Sequence, residues 1–371
     1  MKLSRRSLLA APAVLAAAGP GLAWAREDAV GKARAVVQDL MGKAPFPAAS
    51  AAVWHQGGLV WAEAFGMADL ETRTPATPRD RFRLASVSKV LTAAAVMRLV
   101  ERGVIDLDAP ISRHRPGLPA IHLQTTLRQL VSHQAGIRHY IPRDFDPAAP
   151  GGPIDARVYA TTDDRLAIFI HDPLLAQPGE AVHYSSFGYV LIGAVLEAAT
   201  GKPFPRILDE EVTGPLALGS VAPEVRGPPA PERVSDYQPV YPALQDIVRC
   251  PPINPAYKWP AGGLLGAAPD VARFAGGLSR PGYLGEAAMA QMFAGNPLRS
   301  GAGGPFGVGW RIDRDGQGRR RGSHSGSIAG GRSVVLLLPD DSIAVAILTN
   351  LGHVDVDPVA PAQRLAEVFL T

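Results

Sequence analysis

The chain has 371 residues, 47% of them hydrophobic, which is enough for a large core and one or two domains. Its 39 glycines and 35 prolines stay below the share typical of low-complexity chains. The formal net charge is +3 with no clustered basic face, so a nucleic-acid partner is not expected. The single cysteine, Cys250, excludes an intramolecular disulfide, and its surroundings favour a buried, unreactive thiol.

The first 25 residues resemble an export signal. Lys2, Arg5 and Arg6 precede an apolar stretch at 8–18, and the small residues at 23–25 are typical of a cleavage site. The adjacent Arg5 and Arg6 resemble a twin-arginine signal. A membrane anchor is the alternative, but the apolar stretch is short and interrupted by proline. Cleavage would remove three positive charges and leave a formal balance of zero, and we expect a mature chain that is periplasmic or secreted.

The N-terminal part is predicted to contain one helix and two strands. Apolar residues at helical spacing predict a helix over 28–42. Apolar stretches at 48–53 and 59–65 indicate two strands joined by a hairpin turn at 56–58. A polar loop at 66–85 then leads into the segment on which the functional argument depends.

A serine and a lysine lie three residues apart at the start of a strongly apolar helix. Ser86 and Lys89 precede residues 90–100, which are nearly all apolar or alanine and predict a helix buried on all sides. A serine hydroxyl needs an adjacent base to become a nucleophile, and a desolvated lysine with a lowered pKa can supply it. Because the S-x-x-K pattern also arises by chance in ordinary helices, this pair alone does not establish a function.

The middle of the chain is predicted to be helical, and the last part to be mainly strands. Residues 222–260 hold ten prolines in 39 positions, which argues against regular structure and favours a surface excursion or a lid. Helices are expected at 126–131, 163–170 and 188–200. Strands are expected at 308–312, 321–325, 333–338 and 343–349, followed by a helix at 359–369.

Strand patterns at both chain ends, separated by a helical middle, predict an α+β fold. The economical arrangement is one antiparallel sheet built from both ends of the chain. The N- and C-terminal helices would cover one face of the sheet, and a helical subdomain inserted at about 86–300 would cover the other. No internal repeat suggests a different architecture.

Two further groups could complete an acyl-transfer site around Ser86. Such a site needs an acid for the leaving group and backbone N–H donors for the oxyanion. Tyr184, in a loop before a helix, is a candidate acid, and the segment 324–327 ends a predicted strand where glycine admits a substrate backbone. Each also has a plainer interpretation, as a core tyrosine and a surface turn. His133 is interpreted as a structural hydrogen-bonding residue.

Other chemistries lack their motifs. The sequence contains no nucleophile elbow of the G-x-S-x-G type, no phosphate-binding loop and no zinc-protease motif. No metal and no cofactor are therefore predicted, and the expected partner is a small ester, peptide or cell-wall fragment.

In order and spacing, the three motifs resemble the serine β-lactamase and D-alanyl-D-alanine carboxypeptidase superfamily. The residues SVSK at 86–89 match its S-x-x-K element. YSS at 184–186 lies where the family has Y-x-N, and HSG at 324–326 lies where it has K-T-G or H-x-G. YKW at 257–259 looks most like the mitochondrial serine β-lactamase-like subgroup. The resemblance covers nearly all of 26–371 and implies the β-lactamase/transpeptidase-like fold.

The resemblance also implies a role for each residue. Ser86 would be the acylated nucleophile, Lys89 its base and Tyr184 a proton relay. The backbone N–H groups of Ser86 and Ser327 would form the oxyanion hole. The residues expected to bind the substrate are Ser186, His324, Ser325 and Gly326.

Two positions depart from the family pattern. Ser186 replaces asparagine, and its shorter side chain is not expected to span the same distance to Lys89. His324 replaces lysine, so recognition of a substrate carboxylate would weaken as the pH rises past about 6.5. Both differences argue against efficient β-lactam hydrolysis and leave the acylation chemistry untouched.

Three functions are compatible with the sequence. The first is an exported serine hydrolase that cleaves an ester or peptide bond through a Ser86 acyl-enzyme. The second is a β-lactamase or D-Ala-D-Ala carboxypeptidase. The third is a non-catalytic module that binds a cell-wall or protein ligand. The complete Ser–Lys–Tyr set favours the first, because a pure binding module needs no nucleophile.

Overall fold

Helices and strands are assigned in a computed structural model that describes residues 20–227, 232–241 and 246–370, with side chains from residue 27 onward. The signal predicted at 1–25 lies outside the described residues up to residue 19 and stays a prediction. The α-helices are α1 (Pro20–Met41), α2 (Ser88–Glu101), α3 (Leu127–Val131), α4 (Thr162–Leu166), α5 (Ser186–Thr200), α6 (Phe204–Leu208), α7 (Trp259–Gly262), α8 (Ala268–Gly277), α9 (Glu286–Met292) and α10 (Val359–Leu370). None of these described helices has both the length and the apolar character needed to cross a membrane.

The strands come in two blocks, with short strands between them. They are β1 (Ala48–His55), β2 (Gly58–Asp69), β3 (Thr74–Pro75), β4 (Phe82–Arg83), β5 (Ala222–Pro223), β6 (Tyr237–Pro239), β7 (Ile247–Arg249), β8 (Leu264–Gly266), β9 (Arg311–Arg314), β10 (Arg320–Ile328), β11 (Gly331–Leu338) and β12 (Ile343–Thr349). Of these, seven form one antiparallel sheet in the order β3-β2-β1-β12-β11-β10-β9. The sheet therefore unites both ends of the chain, which confirms the predicted α+β fold.

The two faces of this sheet are covered by different parts of the chain. Successive side chains of a strand point to opposite faces. Val53, Leu336 and Ile347 lie on the face that packs against α1 and α10. Ala52 and Leu337 belong to the other core, which they share with α2, α5 and α8. The predicted division between terminal helices and a helical middle is confirmed.

α2 is buried along most of its length because its sequence offers no polar face. All residues from Ser88 to Met97 are buried, including Lys89. The helix contacts α5, α6, α7 and α9, so it runs through the centre of the helical part. The start of α2 therefore meets both the helical part and the sheet, and the candidate site lies there.

The strand predicted at 308–312 begins three residues later, as β9. The preceding residues instead pass close to α2. Gly309 has a φ of 86°, and a Cβ there would lie 2.4 Å from the Cβ of Ala93. Val308 and Trp310 are thereby buried in the core rather than paired in the sheet.

The proline-rich segment 222–260 contains regular structure, contrary to the prediction. In its described parts β5 pairs with β8 and β6 pairs with β7. The segment ends in a 3-10 helix, Pro255–Lys258, followed by α7. The prolines are tolerated because they occupy strand ends and first helical turns, where the missing N–H is not needed: Pro223 and Pro239 end their strands, and Pro260 lies in the first turn of α7.

Candidate active site

Ser86 lies in a short 3-10 helix, Ala85–Val87, that leads directly into α2. Ala85 has a φ of 45°, a left-handed conformation that costs free energy in a residue with a Cβ. The turn is tied to the sheet by Ser333, whose hydroxyl donates to the Leu84 carbonyl at 2.6 Å. Ser86 is thus held half-exposed between buried neighbours.

Lys89 is fully buried, and no carboxylate of the described residues pairs with its amine. Its Nζ lies 3.1 Å from Ser86 Oγ, 3.0 Å from Ser186 Oγ and 2.6 Å from the Ala261 carbonyl oxygen. Burial, with a contribution from the charge of Lys258, lowers the pKa of Lys89 well below its usual value. A neutral amine has two N–H donors and one lone pair. If the N–H groups donate to Ala261 and Ser186, the lone pair is left for the Ser86 proton.

The expectation that Ser186 is too short to reach Lys89 is wrong. Ser186 is the first residue of α5, and α5 packs directly against α2 and α7. This close packing places the hydroxyl at hydrogen-bond distance from the amine. A serine can therefore hold the lysine where the family pattern has asparagine.

Tyr184 stands next to the Ser86–Lys89 pair. The Nζ of Lys89 lies 5.0 Å from the centre of the Tyr184 ring. Burial raises the pKa of Tyr184 to about 12, although hydrogen bonding with Ser86 and Ser186 opposes the shift. The phenol is therefore protonated near neutral pH, so it is suited to donate a proton, and Lys89 is the better base.

Two histidines hold the segment that contains Tyr184. The Nδ1 of His133 accepts the Ser185 N–H at 3.2 Å, and the Nδ1 of His139 accepts the Ser186 N–H at 3.1 Å. Their rings lie 4.4 Å and 5.3 Å from the Tyr184 ring. Burial lowers the pKa of both imidazoles, that of His139 to about 4. The structural interpretation of His133 is confirmed, whereas His139 was not predicted, because no sequence spacing links residue 139 to residue 186.

The end of β10 forms another side of the site. β9 pairs with β10 only as far as Ser323, so the rest of that edge has no strand neighbour within the described structure. Gly326 is needed there, since a Cβ would lie 2.7 Å from the Ser86 nitrogen. Ser325 and Ser327 alternate with buried residues and are exposed on the same face of the strand. The close approach at Gly326 brings this open edge beside Ser86.

His324 is neutral in this setting, which corrects the expectation of carboxylate recognition that weakens past pH 6.5. Its Nδ1 lies 2.8 Å from the Ser325 carbonyl oxygen, which can only accept, so Nδ1 carries the proton and Nε2 is a free acceptor. Burial, with a smaller contribution from Lys89, lowers the pKa of His324 to about 3. The ring lies 6.3 Å from that of Tyr184. Near neutral pH, His324 therefore carries no positive charge, and its Nε2 is buried without a hydrogen-bond partner among the described residues.

These groups supply what acyl transfer requires. A serine hydroxyl contacts an amine whose pKa burial lowers, a protonated phenol is adjacent, and an open strand edge lies next to the serine nitrogen. No group of His, Cys, Asp or Glu side chains in the described part of the chain is arranged to hold a metal ion. This fold with this site defines a serine hydrolase of the β-lactamase and penicillin-binding protein superfamily.

Comparison with known proteins gives the family. Residues 33–368 match the model of the Beta-lactamase family, and the chain belongs to this family. The human mitochondrial serine beta-lactamase-like protein LACTB is 26% identical over 403 residues, covering 82% of this chain and 73% of that protein. Esterase EstB of Burkholderia gladioli is 32% identical over 265 residues, covering 64% and 67%. The resemblance stated from the motifs is confirmed.

A solved structure extends the comparison to the whole fold. EstCE1, described as a hydrolase with promiscuous acyltransferase activity, superposes with a TM-score of 0.76 at 24% identity. The match covers 94% of this chain and 100% of that one. The sheet and the helical part are therefore arranged relative to each other as in that solved structure.

Proposed function

We propose that the protein is an exported serine hydrolase that cleaves an ester or peptide bond through an acyl-enzyme on Ser86. The observation that carries this proposal is the position of Lys89 Nζ, 3.1 Å from Ser86 Oγ, in surroundings that keep the amine neutral. A base at this distance can take the hydroxyl proton as the oxygen attacks a carbonyl carbon. Export is supported by the sequence pattern of residues 1–25.

Acylation uses the groups in a fixed order. The lone pair of Lys89 accepts the proton of Ser86 while Oγ bonds to the carbonyl carbon. The backbone N–H groups of Ser86 and Ser327 stabilise the oxyanion, and the lack of a Cβ on Gly326 lets the strand that carries Ser327 approach the Ser86 nitrogen. Tyr184 donates its proton to the leaving oxygen or nitrogen and recovers a proton from the Lys89 ammonium. The bond to the leaving group breaks, and an ester remains on the serine.

Deacylation uses the same groups on a water molecule. Lys89 is neutral again after the proton has left with the first product, so it can deprotonate the attacking water. The tetrahedral intermediate collapses, the bond between the carbonyl carbon and Ser86 Oγ breaks, the Lys89 ammonium returns the proton to Oγ, and the acid is released. Tyr184, which lies next to Lys89 and Ser86, relays the proton between the lysine and the serine oxygen.

Substrate binding is assigned to the residues around the open edge of β10. The exposed hydroxyl of Ser325 is available to polar groups, and Gly326 lets the substrate backbone approach. Ser186 acts through Lys89, which it contacts.

The test is the intact mass of the protein after incubation with a fluorophosphonate and, separately, with penicillin G. We expect one fluorophosphonate adduct on the wild type, none on Ser86→Ala, and an unchanged adduct on Ser300→Ala, which alters an exposed serine. A penicillin adduct would move the assignment towards the β-lactam enzymes. No fluorophosphonate adduct on folded wild-type protein would refute the proposal.

A further inference from the structure

Five lysines lie between residues 27 and 370, and two of them are buried. Lys32, Lys43 and Lys202 are exposed and paired with acidic side chains. Lys89 and Lys258 are 0% and 7% exposed. A buried ammonium without a counter-charge costs folding free energy. The mechanism accounts for Lys89 but not for Lys258.

The Nζ of Lys258 is surrounded by aromatic rings rather than by carboxylates. It lies 5.0 Å from the centre of the Tyr257 ring and 5.6 Å from that of Tyr140. Ring faces stabilise a cation without accepting its hydrogen bonds individually. Within the described residues, no hydrogen bond or ion pair engages this ammonium. Its N–H donors are therefore available to an acceptor that the protein does not itself supply.

The wall that holds Lys258 continues into the active site. The ring of Tyr140 lies 4.5 Å from that of His139, which lies 5.3 Å from that of Tyr184. The charge of Lys258 also lowers the pKa of Lys89, so the two amines are within electrostatic reach of each other. An anionic group held at Lys258 would therefore lie beside the row of aromatic rings that leads to Tyr184.

We infer that Lys258 is a specificity-determining residue that binds a carboxylate of the substrate. The inference rests on the proposed function, since it concerns the same reaction. His324, at the position where the family pattern has lysine, carries no charge near neutral pH, and Lys89 is neutral while it acts as a base. Among the residues described on these walls, Lys258 is thus an unpaired cation that can recognise an anion, and a largely desolvated ammonium–carboxylate hydrogen bond is strong. The substrate class is an ester or amide that carries a carboxylate.

The groups around Lys258 keep it protonated near neutral pH. Burial and the charge of Arg83 lower its pKa, Asp155 and Glu224 oppose them, and the result is a pKa of about 8. Further groups that feel its charge are Lys89, His139 and His353. Preference for an anionic substrate should therefore fade as the pH rises past about 8.

The test uses matched ester pairs that differ only in charge. Mono-4-nitrophenyl glutarate and its methyl ester place the carboxylate on the acyl side, and 4-acetoxybenzoate and its methyl ester place it on the leaving group. Each pair is measured on wild type, Lys258→Met, Lys258→Arg and the exposed control Lys202→Met. In at least one pair we expect the ratio of kcat/KM, anionic over neutral, to fall about tenfold or more in Lys258→Met, mainly through KM. In Lys258→Arg and Lys202→Met, the ratio of kcat/KM for the anionic over the neutral ester should stay at the wild-type value.

Because Lys258 also influences the pKa of Lys89, the ratios are taken on the pH plateau of each variant, with circular dichroism as a check on folding. If Lys258→Met does not fold, Lys258→Gln takes its place. An equal loss with charged and neutral esters, or unchanged ratios in both pairs, would overturn the inference while leaving the proposed function intact. A wild type that hydrolyses no ester would remove the proposed function and this inference with it.

Discussion

Buried charged groups are paired in one region of the molecule and unpaired in another. The paired region is an ion cluster of two arginines and two acids, and the unpaired region is the cleft that contains the candidate active site. In the cluster, Arg83 pairs with Glu224 at 2.7 Å and lies 3.2 Å from Asp236. Arg233 contacts the same two acids at 3.3 Å and 2.7 Å. In the cleft, the buried amines and imidazoles have no acidic partner among the described residues.

This difference in pairing matches a difference in role: the ion cluster stabilises the structure, and the cleft holds the groups proposed to react. Burial alone would raise the pKa of Glu224, but the charges and hydrogen bonds of the two arginines outweigh it and lower that pKa. Arg83 also donates to the Ala329 carbonyl at 2.7 Å, so the charged cluster fixes the turn between β10 and β11. In the cleft, burial without a counter-charge lowers the pKa of Lys89 well below its usual value and that of His324 to about 3. Paired charges thus position the walls, and unpaired bases are left free to exchange protons.

The largest effect is expected from Lys89→Met. Under the proposed mechanism this change removes the base, so it should lower kcat/KM for a neutral ester about 10³-fold. The folded protein should be equally or more stable at pH 7, because burial lowers the pKa of Lys89 and so disfavours its charged form on folding, whereas methionine has no charge to lose. Ester kinetics and thermal unfolding measure the two quantities, with Lys202→Met as the control. A large loss of stability would contradict the distinction drawn between the cleft and the cluster.

A smaller effect, on stability, is expected from Glu224→Gln. Loss of this carboxylate leaves Arg83 and Arg233 partly unpaired in a buried place, which should lower the free energy of unfolding by about 3 kcal/mol. The matched control is Glu210→Gln, whose partners Lys202 and Arg206 are exposed, and its cost should stay below about 1 kcal/mol. Urea denaturation distinguishes the two. Similar small losses in both variants would mean that the cluster adds little to stability.

The smallest effect concerns pH. The pKa of His324 is depressed in the folded protein, so below about pH 6.5 the unfolded chain binds a proton that the native site does not. The free energy of unfolding should therefore fall as the pH falls, by about 1.4 kcal/mol per pH unit for each such histidine. His324→Gln should make this dependence shallower by that amount between about pH 5 and 6. Identical slopes in urea titrations would show that the native imidazole takes up the proton.

The parts of the site that could be predicted from sequence are those fixed by short spacing. Ser86 and Lys89 lie three residues apart before an apolar helix, and this local geometry survives even though α2 begins only at Ser88. Tyr184 was found through its place in an ordered set of motifs. The sheet was predictable because alternating apolar stretches at both chain ends have few other ways to be buried.

The remaining features depend on contacts between distant segments. The reach of Ser186 to Lys89 follows from how closely α5 packs, and the neutrality of His324 follows from burial. The positions of His139 and Lys258 near the candidate site depend on the fold, and the residues next to them in the sequence do not predict a role for either side chain. The late start of β9 likewise depends on the close approach of Gly309 to α2, which the sequence around residue 309 does not predict.

The bond between Ser333 and Leu84 joins positions 249 residues apart in the chain. The proposed site is therefore complete only when an early segment of the chain, which carries Ser86, packs against a late segment, which carries β10. Residues 279–282 form an exposed connection between α8 and α9 and offer a place to divide the gene. Two fragments made in this way would form a complementation pair, and the colour released from a nitrophenyl ester would register their association.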